Sequence, residues 1–298
     1  MKHSSFTTLC GRLADLARPR RADLHVHTTA SDGEYTAQQV VAFARRAGLC
    51  AVAVSDHDTL AAVDEARTAA AGHVELVPGV EITAAFAGRE VHLLGYFVRT
   101  DYAPLNTALA RLCNRRRDRF RDFLAKLAAR GCPVPEDRAR LVEESTVSLG
   151  RRHVAGLLVA CRFARHRTEA FHRLLGPVGR EVLPKELLPV EEAVALVRGA
   201  GGVTSLAHPP PDLKDADFRE LARVGVDALE VVYPWGRSSP ESRLREVAEQ
   251  LGFAVSGGSD CHGPEPARRA VGSHAVAAGE LEVLRGLRER SGSRGPRD

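Results

Sequence analysis

The stretch Cys50-Ala-Val-Ala-Val-Ser55-Asp-His-Asp58 decides how this chain is read. Its apolar residues run without polar alternation, the mark of a strand buried on both faces. Such strands belong to parallel sheets covered by helices. Where the apolar run stops, carboxylate and imidazole begin. The same arrangement recurs at Asp23-Leu-His25-Val-His27 and at Ser259-Asp260-Cys-His262. Ionised carboxylates and neutral imidazoles are ligands for divalent cations. A fold that gathers its strand ends on one face would unite the three segments, so a metalloenzyme is expected.

Outward from that stretch, strands and helices alternate. Strands are expected at 22–27, 50–55, 74–80, 91–97, 202–207, 228–233 and 253–258, seven in all. Residues 36–47 carry a helical apolar face and end at Gly48; Thr59 is placed to cap a second helix that runs to Ala71. The strand ends bear His25, His27, Asp56, His57, Glu81, His208, Glu230, Asp260 and His262, with His92 nearer a strand start. Groups spread over so many strands favour a closed (βα) barrel over an open sheet, which collects ligands at a single switch point.

The alternation breaks between residues 102 and 188, where the pattern is helical only. A long helix is expected at 105–130, ended by Gly131 and Pro133, with shorter ones at 136–144, 152–165 and 168–175. This is a helical insertion into a barrel domain spanning 22–290. The Arg-rich residues 1–21 lack a signal peptide's apolar core and read as an N-terminal extension; residues 291–298 read as a disordered tail.

Composition sets the outer limits. The chain has 298 residues, 44% hydrophobic and 5% aromatic, so the core is mainly Ala, Val and Leu. A net charge of +4 does not by itself indicate nucleic-acid binding. Six scattered cysteines without a C-x-x-C pair argue against a disulfide framework and fit a reducing, cytoplasmic compartment. No apolar run reaches the ~20 residues of a membrane span. No obligate protein partner is evident.

His25 and His27 alternate with Val26, so both rings leave the strand on one side and can chelate one ion. A lone pair of this kind is more often a core histidine and a solvated one. Recurrence of Ser-Asp-His and Asp-x-His at other strand ends shifts the balance to metal. Glu81 by itself reads as a surface glutamate after Pro78-Gly79, and His92 by itself as a core histidine. The arginines Arg111, Arg115, Arg116, Arg117, Arg119 and Arg121 read as a solvated face, with Leu112 and Phe120 marking a packed side.

Asp-Leu-His-x-His-Thr28, Ser31-Asp-Gly33, Ser55-Asp-His-Asp-Thr59, Gly79-Val-Glu81, Ala207-His-Pro209 and Gly258-Ser-Asp-x-His262 together resemble the polymerase-and-histidinol-phosphatase (PHP) phosphoesterases. The resemblance implies a distorted seven-stranded barrel of the TIM type and a cluster of two or three divalent ions. By motif, His25, His27, Glu81 and Asp260 would hold one ion. Asp32, His57 and His262 would hold a second, and Glu81, His92 and His208 a third. The mixed nitrogen and oxygen set suits manganese, with iron or zinc as alternatives, better than magnesium.

The implied chemistry is attack by metal-activated hydroxide on a phosphate ester. Gly150-Arg151-Arg152-His153 resembles the Gly-Arg-Pro-His element of phosphatases of nucleoside 3′,5′-bisphosphates that also trim short 5′-phosphorylated RNA, with arginine replacing the proline. Arg151 and His153 are therefore expected to bind substrate, and Asp58 and His208 are candidates for the proton donor. Trp235 is expected either on a base or packed on the rim. Two other readings are open: a phosphatase of a small metabolite such as histidinol phosphate, and an inactive PHP module that binds a partner.

Overall fold

A computed structural model describes residues 20–293. All seven expected strands form, joined by two of only two residues. They are β1 (Arg21–Val26), β2 (Ala51–Val54), β3 (Glu75–Phe86), β4 (Arg89–Tyr96), β5 (Leu188–Pro189), β6 (Val203–Leu206), β7 (Ala228–Val232), β8 (Ala254–Gly257) and β9 (Val276–Ala277). The sheet order is β8-β7-β6-β4-β3-β2-β1-β9, with β5 beside β3.

The sheet curls until its ends nearly meet. Val26 bridges Cys261, Asp260 N–H donates to His25 O at 2.8 Å, and His27 N–H donates to Cys261 O at 2.9 Å. Gly258 permits this approach, because a Cβ there would stand 2.3 Å from His25 N. The result is the expected barrel, distorted at this seam.

The sheet is mixed rather than purely parallel. β3 runs on past its expected end at residue 80 and turns directly into β4, and β4 pairs antiparallel with both β3 and β6. Glu81 therefore lies inside a strand, 1% exposed, not on the surface after a turn. The reversal also explains His92: on an antiparallel strand, a position near the start faces the same barrel end as its neighbours' C-termini.

Helices α1 (Ala37–Arg46) and α2 (Val63–Ala70) cover the first strands. Thr36 caps α1 by accepting from Gln39 N–H, while Gln39 Oε1 accepts from Thr36 N–H, a reciprocal box. Thr59 does not cap α2; its hydroxyl accepts from Ala61 N–H in the preceding turn, and Ala62 precedes the helix without a side-chain bond.

The insertion holds α3 (Ala103–Ala128), α4 (Glu136–Ser145), α5 (Arg151–Ala160) and a helical run whose middle, Ala170–Leu175, is π-helical. α5 stops at Ala160 rather than extending to 165. The insertion has its own apolar core, with Phe120, Phe123, Leu149, Leu158 and Leu175 buried. α6 (Val190–Gly199), α7 (Asp215–Val224), α8 (Glu241–Leu251) and α9 (Ala278–Ser293) complete the outer layer. α9 enters the expected tail by three residues. Residues 294–298, and residues 1–19 of the expected N-terminal extension, lie outside the described part. No described helix is long and apolar enough to cross a membrane.

Candidate metal centre

β1 delivers His25 and His27 to one point inside the barrel mouth, both fully buried. His25 Nε2 lies 3.1 Å from His27 Nε2, 3.4 Å from Glu81 Oε2 and 3.5 Å from Asp260 Oδ1. His27 Nε2 lies 3.3 Å from each of those oxygens. Four tetrahedral donors about 2.1 Å from one ion would stand about 3.4 Å apart. His25, His27 and Glu81 thus have the spacing of a cation site, and Asp260 approaches both imidazoles beside it.

A second group adjoins it. Asp32 Oδ1 lies 3.2 Å from His262 Nε2 and 3.7 Å from His57 Nε2. The other nitrogen of His57, Nδ1, stands 2.8 Å from Glu81 Oε2. Glu81 reaches a third group through its second oxygen: Oε1 is 2.8 Å from His92 Nδ1 and 3.0 Å from His208 Nε2. One buried carboxylate therefore faces imidazoles on both oxygens. The other eight sequence-expected ligands gather with it in these three groups, including His92, which alone in an apolar strand would read as core.

Two observations test whether this cluster fits cations. Among the described residues six buried side-chain atoms form no hydrogen bond, and three of them, Asp32 Oδ1, His57 Nδ1 and Glu81 Oε2, belong to the cluster, the last two facing each other at 2.8 Å without one. Buried polar atoms are rarely left so, and here they converge. Charge gives the second. Burial pushes the Asp32, Glu81 and Asp260 carboxyls upward, but the imidazoles around them outweigh it and hold all three well below the ordinary carboxylate range. Burial, aided by His262 and His57, lowers His27 to about 3 and keeps it neutral, as a ligand must be.

Outer groups fix the inner ones. Glu230 Oε1 accepts from His25 Nδ1–H at 2.8 Å, and its Oε2 accepts from His208 N–H at 2.6 Å. Asp260 turns Oδ1 to the histidines, while Oδ2 accepts from Tyr233 O–H at 2.8 Å and from Arg269. Asp56 accepts from Thr28 N–H at 2.7 Å and from the Thr28 and Ser31 hydroxyls, pinning the loop that carries Asp32. Asp260 and His208 both have positive φ, 49° and 27°. Residues other than glycine hold such angles where surrounding structure imposes them, and they cluster at active sites.

The insertion walls one side of an open cavity of about 240 Å³ beside the centre. Asp32, His57 and His92 line its barrel wall; Arg119, Phe120, Arg151, Phe171 and Lys185 line its insertion wall. The arginine run of α3 thus divides. Arg111 and Arg115 pair with Glu186, and Arg121 pairs with Glu143 in solvent. Arg116 turns inward and donates from Nε to Asp58 Oδ2 at 2.6 Å. Among the described residues, Arg119 and Arg151 form no ion pair with a carboxylate.

The structure commits Asp58 elsewhere than to a reacting proton. Its oxygens accept from Thr83 N–H at 2.7 Å, from the Thr83 hydroxyl at 2.8 Å and from Arg116. His153 is also occupied: its Nδ1 accepts from Gly150 N–H at 2.9 Å at the start of α5, and it does not line the cavity. Trp235 packs beside Tyr233 at a 4.8 Å ring separation and donates to Val231 O at 2.9 Å, so it belongs to the rim.

Residues 23–165 match the PHP domain family. The chain is 31% identical over 255 residues to the 5′-3′ exoribonuclease Rnm of Salmonella typhimurium, covering 82% of this chain and 86% of that one. The chain belongs to the PHP family. This PHP protein is 31% identical to a phosphoribosyl 1,2-cyclic phosphate 1,2-diphosphodiesterase of Eggerthella lenta, covering 81% of this chain and 94% of the other. It is 27% identical to a 3′,5′-nucleoside bisphosphate phosphatase of Chromobacterium violaceum, covering 84% and 90%. Among solved structures it resembles a Bifidobacterium adolescentis protein classed as a metal-dependent phosphoesterase, with TM-score 0.81, 30% identity and coverage of 90% and 96%. This PHP chain is a metal-dependent phosphoesterase, a hydrolase of phosphoric esters.

The sequence puts Glu230 at a strand end but gives it no role, and it does not single out Tyr233 and Arg269 beside Asp260, or Glu90 and Lys185 on the cavity of this PHP centre. A glutamate after Ala-Leu in a buried strand was the available signal for Glu230. Arg269 sits in a loop with no pattern, and only the fold brings it to Asp260.

Proposed function

We propose that this protein removes the 3′-phosphate from nucleoside 3′,5′-bisphosphates and trims short 5′-phosphorylated RNA at the same centre. The carrying observation is the pair Arg119 and Arg151. Two guanidinium groups face one cavity without carboxylate partners, opposite a wall of cation ligands. Burial and the neighbouring Arg151 lower the pKa of Arg119. Arg119 donates to Leu183 O and leaves its remaining N–H groups for an anion, and planar guanidinium forks suit phosphate. A substrate with phosphates at two ends would place one between the arginines and the other at the metal centre. Phe171, half-buried with the Arg151 guanidinium 5.9 Å from its ring centre, offers a face for the base.

His25, His27, Glu81 and Asp260 would hold one ion, Asp32, His57 and His262 a second, and Glu81, His92 and His208 a third. Manganese fits this donor set best, with iron or zinc as alternatives. Such ions supply an activated water and neutralise phosphoryl oxygens. The chain's own residues do the rest. Glu230, Tyr233 and Arg269 hold the ligands in place, and Arg119 and Arg151 orient the substrate. The relatives named for bisphosphate and RNA substrates support the reading.

The test is phosphate release with added manganese from adenosine 3′,5′-bisphosphate, 3′-AMP, 5′-AMP and histidinol phosphate. The bisphosphate should be preferred, and Arg151→Met should cost it about 10–100-fold in kcat/KM, the worth of a charge-assisted contact, while sparing 3′-AMP. Equal turnover of 3′-AMP and the bisphosphate, or preference for histidinol phosphate, would refute the proposal.

A further inference from the structure

Glu90 joins the two walls of the cavity through one oxygen. Its Oε1 lies 3.1 Å from His92 Nε2 and also accepts from Lys185 Nζ. Glu90 and His92 are two residues apart on β4, so both side chains leave the strand on the same side. Lys185 comes from the segment that leaves the insertion. All three line the cavity. The opposite nitrogen of the same imidazole, Nδ1, faces Glu81 Oε1 at 2.8 Å. A chain of contacts therefore runs from a cavity cation, through Glu90 and His92, to the central carboxylate.

We propose that Glu90 is a positioning residue that couples anion binding in the cavity to cation affinity at the His92 site. This rests on the reading of the cavity given above. Two donors share one acceptor oxygen, so the charge of Glu90 is divided between Lys185 and His92. A phosphate entering the cavity competes for the Lys185 ammonium. Glu90 then acts more fully on His92 Nε2–H. A carboxylate behind a ligating imidazole strengthens the donor power of its far nitrogen, which here faces Glu81. By linkage, a cation at that site raises phosphate affinity by the same factor.

Manganese binding to the full chain is measured by calorimetry for wild type, Glu90→Gln, Lys185→Met and the double variant, with and without 5′-AMP. In wild type, the site that His92→Ala abolishes should tighten about 5-fold or more with 5′-AMP. Glu90→Gln should weaken that site about 10-fold. Lys185→Met should tighten it without 5′-AMP, because Glu90 is released. That gain should vanish in the double variant, closing a cycle with a measurable coupling term. Equal tightening by Lys185→Met with and without the Glu90 carboxylate would mean simple removal of a nearby positive charge, and would overturn the proposal. Unchanged affinity in Glu90→Gln would overturn it too. No manganese binding in any form would instead overturn the metal-centre reading on which it rests.

Discussion

Glu230 Oε1 accepts from His25 Nδ1–H at 2.8 Å while the opposite nitrogen of that ring faces His27, Glu81 and Asp260. A carboxylate can only accept, so the contact fixes the ring tautomer and leaves Nε2 as the ligand atom. Both oxygens of Glu230 are used, since Oε2 accepts from His208 N–H. Glu230→Gln sets an amide NH₂ against one of those two donors. Manganese affinity should fall about 10–100-fold, measured by calorimetry on protein whose circular dichroism is unchanged. Wild-type affinity would show that Glu230 merely fills space.

His27 turns Nε2 to Glu81 and Asp260, at 3.3 Å from each, while its Nδ1 lies 3.5 Å from the Ser31 hydroxyl. His27→Ala should lower turnover at saturating manganese by at least about 100-fold, the several kcal/mol that Lewis-acid catalysis supplies. Asp260→Asn should act in the same direction and also disturb Tyr233 and Arg269. Wild-type rates in His27→Ala would remove the first site from the reaction.

The barrel seam gives a stability prediction. Gly258→Ala would put a Cβ 2.3 Å from His25 N and 2.5 Å from His25 Cβ. No flexible side chain can yield there, so β1 and the segment after β8 must part. A loss of about 1–3 kcal/mol or more is expected, read as a lower melting temperature. Manganese affinity should drop with it, because the strand that moves carries both histidines. An unshifted melting temperature would show that the seam is loose.

Proton linkage distinguishes metal-free from metal-loaded protein. Burial lowers His262 and His92, yet Asp32 and Asp260 beside the one and Glu81 beside the other outweigh it, raising both from 6.5 to about 9. A histidine raised in the folded state stabilises fully below its unfolded pKa, and the gain is lost as pH climbs through the folded value. Stability without metal should therefore fall between pH 6.5 and about 9. Manganese competes with those protons, so its stabilisation should grow over the same window. At 100 times Kd it amounts to about 2.7 kcal/mol. Scanning calorimetry with chelator and with manganese checks both slopes; a metal-free curve that rises with pH would contradict them.

Much of this was legible in the residues, for reasons that differ from place to place. Ala51–Val54 announced a buried strand because both faces are apolar. His25 and His27 announced a chelating pair because strand period puts them on one side. Residues 36–47 announced a helix through their apolar face, and Gly48 announced its end. Glu81 had no local signal of its own, because the strand runs past it into a hairpin whose antiparallel return carries no signature in Val91-His-Leu-Leu94. Arg116 was indistinguishable from Arg115 and Arg117, since which arginine of a run turns inward depends on where α3 lies over Asp58.

The sequence by itself determined which residues are available for cation chemistry and that they sit near strand ends, because strand period and buried apolar runs are properties of adjacent residues. Tertiary structure alone decided what those residues do together. It placed Glu81 between imidazoles on both of its oxygens, set Glu230 behind His25, committed Asp58 to Arg116, and left Arg119 and Arg151 without carboxylates above the centre. These relations join segments tens to hundreds of residues apart, and their energies depend on burial and orientation, which exist only once the barrel has closed at Gly258.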